Sequence, residues 1–465
     1  MPNFPSSIST DSNLYIAVNN LATTLTDNPL TAGATTVHVS STTGFPSAGF
    51  ISIDSEIIAY TGLSGGNSFT GCTRGADGTT AASHSMSVQV FHNIVAAHHN
   101  VIKNEIEALE QVLQPTFIGL GRNRILNGEM IIDQRNVGAL ITVNSASTFY
   151  SADHWMGQGS SAGAFTLQRV TDVPNSGGFR NSIITTITST DLTLAANVSY
   201  RIIQPMEGNF LADFRFGFAD AQALFLSFWV KGSMTGTYGG SILNGTENRS
   251  YPFSFTINNA NTWEQKTIAI SGDTAGTWSI TTAIGMEVMF SLGANSAFKS
   301  ASPNVWQTGK FYSPTGTVDL IQTLNATINF TGVQLEIGTN ATAFEHIPLD
   351  LLIHRCERYF EKSYPLETAL GSVGGAEQFT TTSAGGANTS YGSTRPFHVE
   401  KRTAPSMTAW SNNGDSGTWQ FFTSAGGATL RNPNLSSTVK TYYTFQVVAS
   451  EVFASGHFTA NSELL

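Results

Sequence analysis

Two tryptophans, Trp410 and Trp419, flank a polar turn in the last sixty residues, and their spacing offers the chemistry of sugar binding. The turn at positions 411–417 reads Ser-Asn-Asn-Gly-Asp-Ser-Gly. Aromatic rings stack on the apolar face of a pyranose, while amide and carboxylate groups hydrogen-bond its hydroxyls. We therefore expect a glycan or receptor site here. Its candidate residues are Trp410, Trp419, Asn412, Asn413 and Asp415, with Tyr391 and Tyr442 as weaker members.

The remaining tryptophans also have two possible roles. Trp155, Trp263, Trp278 and Trp306 are further candidates for stacking on a sugar. Core packing is the competing role for each of them, because large aromatic residues dominate the cores of β-sandwiches. Trp229 stands within a strongly apolar stretch, and we predict that it belongs to the core.

A search for catalytic patterns favours a protein that is not an enzyme. The chain contains no HExxH, GxSxG or P-loop motif. Hydrolysis of a glycoside needs two carboxyl groups in one cleft. Two pairs could meet in space and supply them: Asp213 with Asp220, or Glu345 with Asp350. The chain lacks the repeat of about 20 to 30 residues that is typical of a parallel β-helix. We expect no catalytic residues, no cofactor and no metal site.

Composition narrows the class of protein further. The 465 residues are 40% hydrophobic but only 12% charged, against about 25% in an average soluble protein. The net charge of −10 argues against a nucleic-acid partner, since phosphate binding needs clustered Lys and Arg. The two cysteines lie far apart and in no CxxC pattern, so a disulfide is not expected. The N-terminal residues lack the pattern of a signal peptide, and no apolar run is long enough for membrane insertion.

Residues 94–115 form the clearest predicted helix. Apolar residues repeat there at alternating spacings of four and three, which is a heptad seam, and Pro115 blocks its continuation. Packing on its own domain is one role for such a stripe, but isoleucines on the seam favour a trimeric coiled coil. The predicted trimer seam consists of Val95, His99, Ile102, Ile106, Leu109 and Leu113.

Short alternating segments and glycine-rich turns in residues 31–93 predict a small β domain. Three segments, Glu56–Tyr60, Thr73–Gly75 and Thr80–His84, resemble a module found near the N-termini of phage fibres. The resemblance implies attachment to the virion. Arg74 and His84 invite a catalytic reading, but no carboxylate or nucleophile lies near them in sequence, and we predict structural roles for both.

Residues 120–345 predict one large all-β domain. Eight or more alternating segments, bounded by Gly, Asn, Ser or Pro, indicate a two-sheet sandwich of the jelly-roll type. Several segments resemble phage-fibre jelly rolls related to carbohydrate-binding modules, which implies that fold and leaves open whether the domain binds sugar or only acts as a spacer. These segments are Asn123–Met130, Ser151–Trp155, Leu224–Gly232, Val333–Gly338 and Ala343–Glu345.

The stretch Gly332–Lys362 resembles the junction between such a jelly roll and the distal tip of phage tail fibres. Within it, residues 348–362 predict an amphipathic helix. Leu352, Cys356, Tyr359 and Phe360 lie on its apolar face, and Arg355, Glu357, Arg358 and Glu361 lie largely on the opposite face. Beyond it, Phe397–Arg402 and Phe458–Leu464 resemble parts of a tail-fibre tip.

The predicted fold class is mainly β: a multidomain, elongated homotrimer with a jelly-roll sandwich and a C-terminal β tip. The predicted domains are residues 1–93 for virion attachment, 94–115 for the coiled coil, 116–347 for the jelly roll, 348–362 for the connector helix and 363–465 for the receptor-binding tip. The resemblance implies a tail-fibre adhesin that is located in the virion and binds a host surface glycan or protein through its C-terminal domains. Its partners would include tail or baseplate proteins at the N-terminus. The alternatives are a purely structural virion protein, such as a head fibre or baseplate adaptor, and a polysaccharide depolymerase.

Overall fold

The computed structural model describes residues 21–92, 99–106, 121–373, 379–382, 391–423, 428–447 and 451–464. The chain divides into two compact units, Met1–Leu120 and Gly121–Leu465. Strands dominate both units, which confirms the mainly β class. Helices are α1 at residues 99–106 and α2 at Leu349–Glu357. In the described part of the chain, neither helix has the length and apolar character needed to cross a bilayer.

The N-terminal unit contains two small antiparallel sheets around one core. The four-stranded sheet has the order β1-β7-β3-β4, and the three-stranded sheet has the order β2-β6-β5. Ile51, Ile58 and Phe69 are completely buried between them. A turn at Asp54 joins β3 to β4, and Asp54 takes a positive φ of 52°. The strands are β1 (Ala22–Thr24), β2 (Thr36–His38), β3 (Gly49–Ile53), β4 (Glu56–Tyr60), β5 (Gly62–Ser64), β6 (Ser68–Thr70) and β7 (Gln89–His92).

Helix α1 carries the described part of the predicted trimer seam. Ile102 is 46% exposed and Ile106 is 49% exposed, and His99 is exposed as well. The seam therefore does not pack on its own chain at these positions. Val95, Leu109 and Leu113 lie outside the described residues, and the trimer stays a prediction.

The second unit begins with a two-sheet antiparallel sandwich. Its strands are β8 (Ile141–Val143), β9 (Phe149–Tyr150), β10 (Met156–Gln158), β11 (Ala164–Val170), β12 (Ser182–Ser189), β13 (Ser199–Glu207), β14 (Leu224–Gly232), β15 (Gly236–Asn244), β16 (Arg249–Ile257), β17 (Glu264–Ile270), β18 (Ile284–Ala294), β19 (Lys299–Ser300), β20 (Gln307–Thr308), β21 (Ser313–Pro314) and β22 (Thr327–Ile337). Thirteen of these strands form the sandwich: one sheet has the order β20-β16-β15-β18-β13-β10-β9, and the other has the order β17-β14-β22-β12-β11-β8. Strands β19 and β21 form a separate, short parallel pair.

Successive side chains on each strand of the sandwich point alternately into the core and to the outer face of the sheet. On β13, Tyr200 and Ile202 point into the core, so Arg201 and Ile203 lie on the outer face of the seven-stranded sheet. On β14, Leu226 and Phe228 fill the core. The core prediction for Trp229 is wrong, because the same alternation turns its side chain to the outer face of the six-stranded sheet, where it is half-buried.

Helix α2 ends at Glu357, which is earlier than the predicted end at residue 362, and Phe360–Lys362 instead forms strand β23. Cys356 is buried, in agreement with its predicted place on the apolar face of the helix, and burial raises its pKa. Two residues of the predicted charged face, Glu357 and Glu361, contact other parts of the chain. Both are buried, and Glu361 forms an ion pair with the wholly buried Lys401.

The C-terminal part is a sheet assembled around one long strand. Strand β30 pairs antiparallel with β23, β24, β26 and β27. The strands are β23 (Phe360–Lys362), β24 (Phe379–Thr382), β25 (Tyr391–Pro396), β26 (Ser406–Trp410), β27 (Trp419–Thr423), β28 (Ala428–Arg431), β29 (Tyr442–Val447) and β30 (Glu451–Asn461). This sheet packs on the sandwich: Gln134 Nε2 donates to the carbonyl of Phe360 at 2.8 Å, and Arg358 pairs with Glu207 at 2.7 Å.

Candidate functional site

Trp419, a leading candidate for sugar stacking, is a core residue in this structure. Its side chain is 0% exposed, and its ring lies 5.1 Å from that of Phe445. Its Nε1 donates to the carbonyl oxygen of His457 at 2.8 Å. Both faces of the indole are thus enclosed, and a sugar cannot stack on it in this conformation.

The turn beside Trp410 does bring several predicted residues together. Trp410 is half-buried and forms a β-bridge with Ser416. Asn413 and Asp415 are exposed at the turn, whereas Asn412 Nδ2 is engaged with Ser455 Oγ at 2.7 Å. The turn therefore presents a small polar surface, and its role in receptor binding stays a prediction.

The two tyrosines lie on different elements from this turn. Tyr442 is 42% exposed and pairs with Pro396 in the separate sheet of β25 and β29. Tyr391 belongs to β25, and its side chain lies outside the described residues. Among the other tryptophans, Trp155 is buried, and Trp278 packs edge-on against Trp306 with 5.3 Å between ring centroids.

The predicted carboxylate pairs have separate partners. Asp213 pairs with Arg124, and Asp220 pairs with Arg215 at 3.1 Å. Glu345 accepts hydrogen bonds from the backbone N–H groups of residues 121 and 123, while Asp350 is exposed at the start of α2. These contacts give neither pair the arrangement of a catalytic dyad.

A different site lies on the outer face of the seven-stranded sheet. Two adjoining cavities, of about 550 Å³ and about 300 Å³, share Gln158 on β10 and Arg201 on β13. We call them together the Arg201 cleft. The larger cavity is also lined by Lys310 and Tyr312, and the smaller one by Glu247 and Glu287, among other residues. Volumes in this range are typical of small-molecule sites.

Arg201 lies between the two cavities of this cleft and lines both. Its Nη1 donates to Glu247 Oε1 at 3.0 Å, and its Nη2 donates to Gln158 Oε1 at 2.6 Å. The guanidinium lies over the ring of Tyr312, 4.0 Å from the centroid. Lys310 Nζ also contacts Glu247. Burial opposes the charge of Glu247, but hydrogen bonds from Lys310 and Arg201 outweigh it and lower the pKa of this carboxyl.

Glu287 has the opposite electrostatic environment. Strand β18 places it beside Leu243 of β15 and Pro205 of β13, on the outer face, where it is 7% exposed. Burial, and then the negative charge of Glu247, raise the pKa of Glu287 to about 7. Among the described residues, its Oε2 and the Nε of Arg201 find no hydrogen-bond partner. Both residues line the smaller cavity, and each has a buried polar atom whose hydrogen-bonding capacity is unused among the described residues.

One further cluster has the geometry of a metal site. In the described part of the chain, ligand atoms of Glu357, Glu361 and His398 lie within 4.8 Å of one another. Lys401 Nζ, however, already contacts Glu361, and His398 Nδ1 lies 2.9 Å from Glu357 Oε1. Lys401 and His398 thus already contact these carboxylates, and the cluster joins α2 to the C-terminal sheet.

Sequence reasoning did not identify the Arg201 cleft. Its polar residues come from β10, β13, the β15–β16 turn, β18 and the segment before β21, and no short motif connects them. The available signal was Arg201 within the alternating strand Ser199–Glu207, since a charged residue inside a sandwich strand needs a partner.

Comparison with known proteins finds structural likeness alone. No protein-family model and no curated protein matches the chain. Similar solved structures include the enzymatically active domain of tailspike protein 4 from bacteriophage CBA120, with 13% identity and a TM-score of 0.25; the match covers 47% of this chain and 22% of that one. The chain therefore matches only about a fifth of the tailspike chain's length.

Carbohydrate-binding modules are also among the similar structures. A CBM4 structure has 13% identity and a TM-score of 0.22, with 46% of this chain and 99% of that chain covered. The family 11 module from Clostridium thermocellum, solved with a β-1,3-1,4-mixed-linked tetrasaccharide, has 12% identity and a TM-score of 0.23, with coverage of 42% and 91%. At these TM-scores the likeness carries no argument about function, which has to come from the site.

Proposed function

We propose that this protein is a phage tail-fibre adhesin that attaches the virion to a glycan on the host surface, with the Arg201 cleft as a glycan site. The observation that carries the glycan part is the pair of buried, unpartnered atoms in the cleft, Arg201 Nε and Glu287 Oε2. A sugar hydroxyl accepts from a guanidinium N–H and donates to a carboxyl oxygen, so neighbouring hydroxyls satisfy both. Gln158 and Tyr312 also line the larger cavity, where they offer an amide group and an aromatic ring to a bound sugar.

The attachment role is supported by the sequence resemblances and by the exposed seam of α1. Ile102 and Ile106 present an apolar stripe that a second and third copy of the chain would cover. A trimer would carry three clefts, and simultaneous weak contacts raise the overall avidity without a tight single site. The polar turn next to Trp410 would be a second contact with the receptor.

A glycan array with the full chain tests the binding role. We expect binding that the R201Q variant abolishes and that the R249Q variant retains. Arg249 is a matched control because it forms a similarly buried ion pair, with Asp273, outside the cleft. If R201Q is folded and binds like the parent, the cleft is not the site. If W410A instead removes binding, the site is the C-terminal turn.

Hydrolysis of a glycosidic bond is a second candidate, favoured by the two carboxyl groups in the smaller cavity. Their pKa values are displaced in opposite directions, which is the pattern of an acid and an ionised partner. Release of new reducing ends from a bound polysaccharide, lost in both E287Q and E247Q, would support it. Binding without any release would leave adhesion as the sole role of the cleft.

A further inference from the structure

The two parts of the Arg201 cleft differ in charge. Among the described residues that line the larger cavity, Arg201 and Lys310 are the charged ones, and no carboxylate joins them. The rest of the lining is hydroxyl, amide and apolar, including Ser160, Ser199 and Asn197. The chain as a whole has a net charge of −10, so a cavity whose charged lining residues are both cations differs in sign from the average charge of the chain.

The nearest carboxylate only partly balances these cations. Glu247 contacts both Arg201 and Lys310, and Tyr312 Oη donates to it at 3.4 Å. One negative charge thus faces two positive ones, which leaves the group with a net charge of +1. The side chain of Lys310 is 44% exposed, so its ammonium group can reach a ligand in the larger cavity while remaining near Glu247.

Glu287 does not cancel that excess around neutral pH. The charged groups that act on it are Glu247, Arg201 and Lys310, and Glu287 in turn acts on Tyr150. With burial as the main cause, the pKa of Glu287 is raised to about 7, so a large fraction of the carboxyl is protonated there. A protonated carboxyl is a hydrogen-bond donor, and its buried Oε2 lacks a partner among the described residues.

We propose that the Arg201 cleft selects glycans that bear carboxylate groups, of the uronic-acid type, over neutral glycans. Arg201 lines both cavities, so a glycan that spans them can place its carboxylate against Arg201, with protonated Glu287 as a donor on the side of the smaller cavity and Lys310 on the side of the larger one. The carboxylate would neutralise the excess positive charge. A neutral sugar would satisfy the hydrogen bonds but not the charge. This inference rests on the proposed glycan-binding function and adds the class of glycan.

The test uses acidic polysaccharides and the same polymers after chemical reduction of their carboxyl groups to alcohols, which preserves linkage and ring stereochemistry. Oligosaccharides of both forms are titrated into the full chain by calorimetry. We expect at least about tenfold tighter binding of the acidic form, with a preference that weakens at high salt. Equal binding of both forms would overturn the selectivity and leave glycan binding intact. No binding of either form across the panel would overturn the proposed function together with the inference.

Two variants locate the selectivity. K310Q should weaken binding of the acidic form about tenfold and leave the reduced form unchanged. K231Q is the matched control, because Lys231 is also paired with a carboxylate, Asp172, but lies on the six-stranded sheet. Loss of affinity for both forms in K310Q would assign that lysine a general role and contradict the charge argument.

Glu287 gives the preference a pH dependence. Its protonated form donates to a ligand carboxylate and its ionised form repels it, so affinity for the acidic form should fall as the pH rises through about 7. In E287Q the neutral amide donates at every pH, and the decrease should disappear. A wild-type affinity that is flat across this range, or an equal decrease in E287Q, would overturn the role of Glu287.

Discussion

The imidazole Nδ1 of His154 lies 2.9 Å from Oε2 of Glu463, although 309 positions separate the two residues in the chain. Both side chains are buried, and Arg135 pairs with the same carboxylate at 3.1 Å. Burial opposes the charge of Glu463, but His154 and Arg135 lower its pKa below its usual value. The segment that follows β30 is therefore joined to the sandwich by a buried ion pair.

Replacing Glu463 by Gln should destabilise the second unit by about 3 kcal/mol, because it removes the carboxylate that pairs with both Arg135 and the buried His154, and leaves Arg135 with Asp153 alone, at 3.9 Å. The free energy of unfolding in urea measures this. E367Q is the matched control: Glu367 pairs with Arg169, but its side chain is 67% exposed, so its loss should cost less than about 1 kcal/mol. Equal effects of the two substitutions would show that the buried pair does not bind the tip to the sandwich.

The N-terminal unit should lose stability in acid because of one carboxylate. Burial tends to raise the pKa of Glu56, but hydrogen bonds from Arg74, the N–H of Ala82, His84 and the N–H of Gly75 lower it to about 2. The folded-state pKa lies below the unfolded value of about 4.5, so the stabilisation is complete above the unfolded pKa. It is lost as the pH falls from about 4.5 to about 2.

The N-terminal unit should lose about 3 kcal/mol of its free energy of unfolding when Glu56 is protonated, as follows from the size of the pKa shift. Calorimetry of the full chain across this pH range measures the unfolding of the N-terminal unit. E56Q should be less stable at neutral pH and should lose this acid-dependent step. D77N removes an exposed carboxylate in the same unit and should retain the step. A step of the same size in E56Q would assign it to other groups.

The exposed stripe of α1 predicts self-association. Replacing Ile102 and Ile106 together by Asp places charges on the seam, where burial against another copy would be costly. We expect light scattering after size exclusion to give a trimer for the parent chain and a monomer for this double variant. N104D, an exposed position on the same helix, should stay trimeric. A well-folded monomer of the parent chain would refute the trimer.

Trp410 and Trp419 should differ in the effect of substitution by Ala. Trp419 is 0% exposed, so W419A leaves a cavity and should lower the free energy of unfolding by about 3 to 5 kcal/mol. W410A removes a half-buried ring and should cost less, so that binding can be measured on a folded protein. Equal losses of stability would mean that both rings serve the core alone.

The sequence by itself determined the class of fold and the nature of most elements. Alternation in segments such as Ser199–Glu207 and Arg249–Ile257 reflects the period of a strand with one face in a core, and the pattern is local. The existence of α2 and the place of Cys356 on its buried face followed from the same kind of local rule.

Tertiary structure decided which polar residues meet. His84 has no carboxylate close to it in sequence, yet its Nε2 lies 2.7 Å from Glu56 Oε2, because β3 and β4 fold back on that segment. The spacing of Glu357 and Glu361 places both opposite an apolar helix face, but it does not reveal that both are buried or that Lys401 lies beside Glu361.

The Arg201 cleft shows the same limit at the candidate site. Gln158, Arg201, Glu247, Glu287 and Lys310 are spread over about a third of the chain and converge only when five segments of the sandwich pack together. Conversely, Trp410 and Trp419 lie only nine positions apart in the sequence, but the register of β26 and β27 against β30 puts Trp419 in the core. The local sequence pattern determines whether a segment has the period of a strand or of a helix. Its neighbours in the fold depend on strand order and register, which are set by pairing between distant parts of the chain.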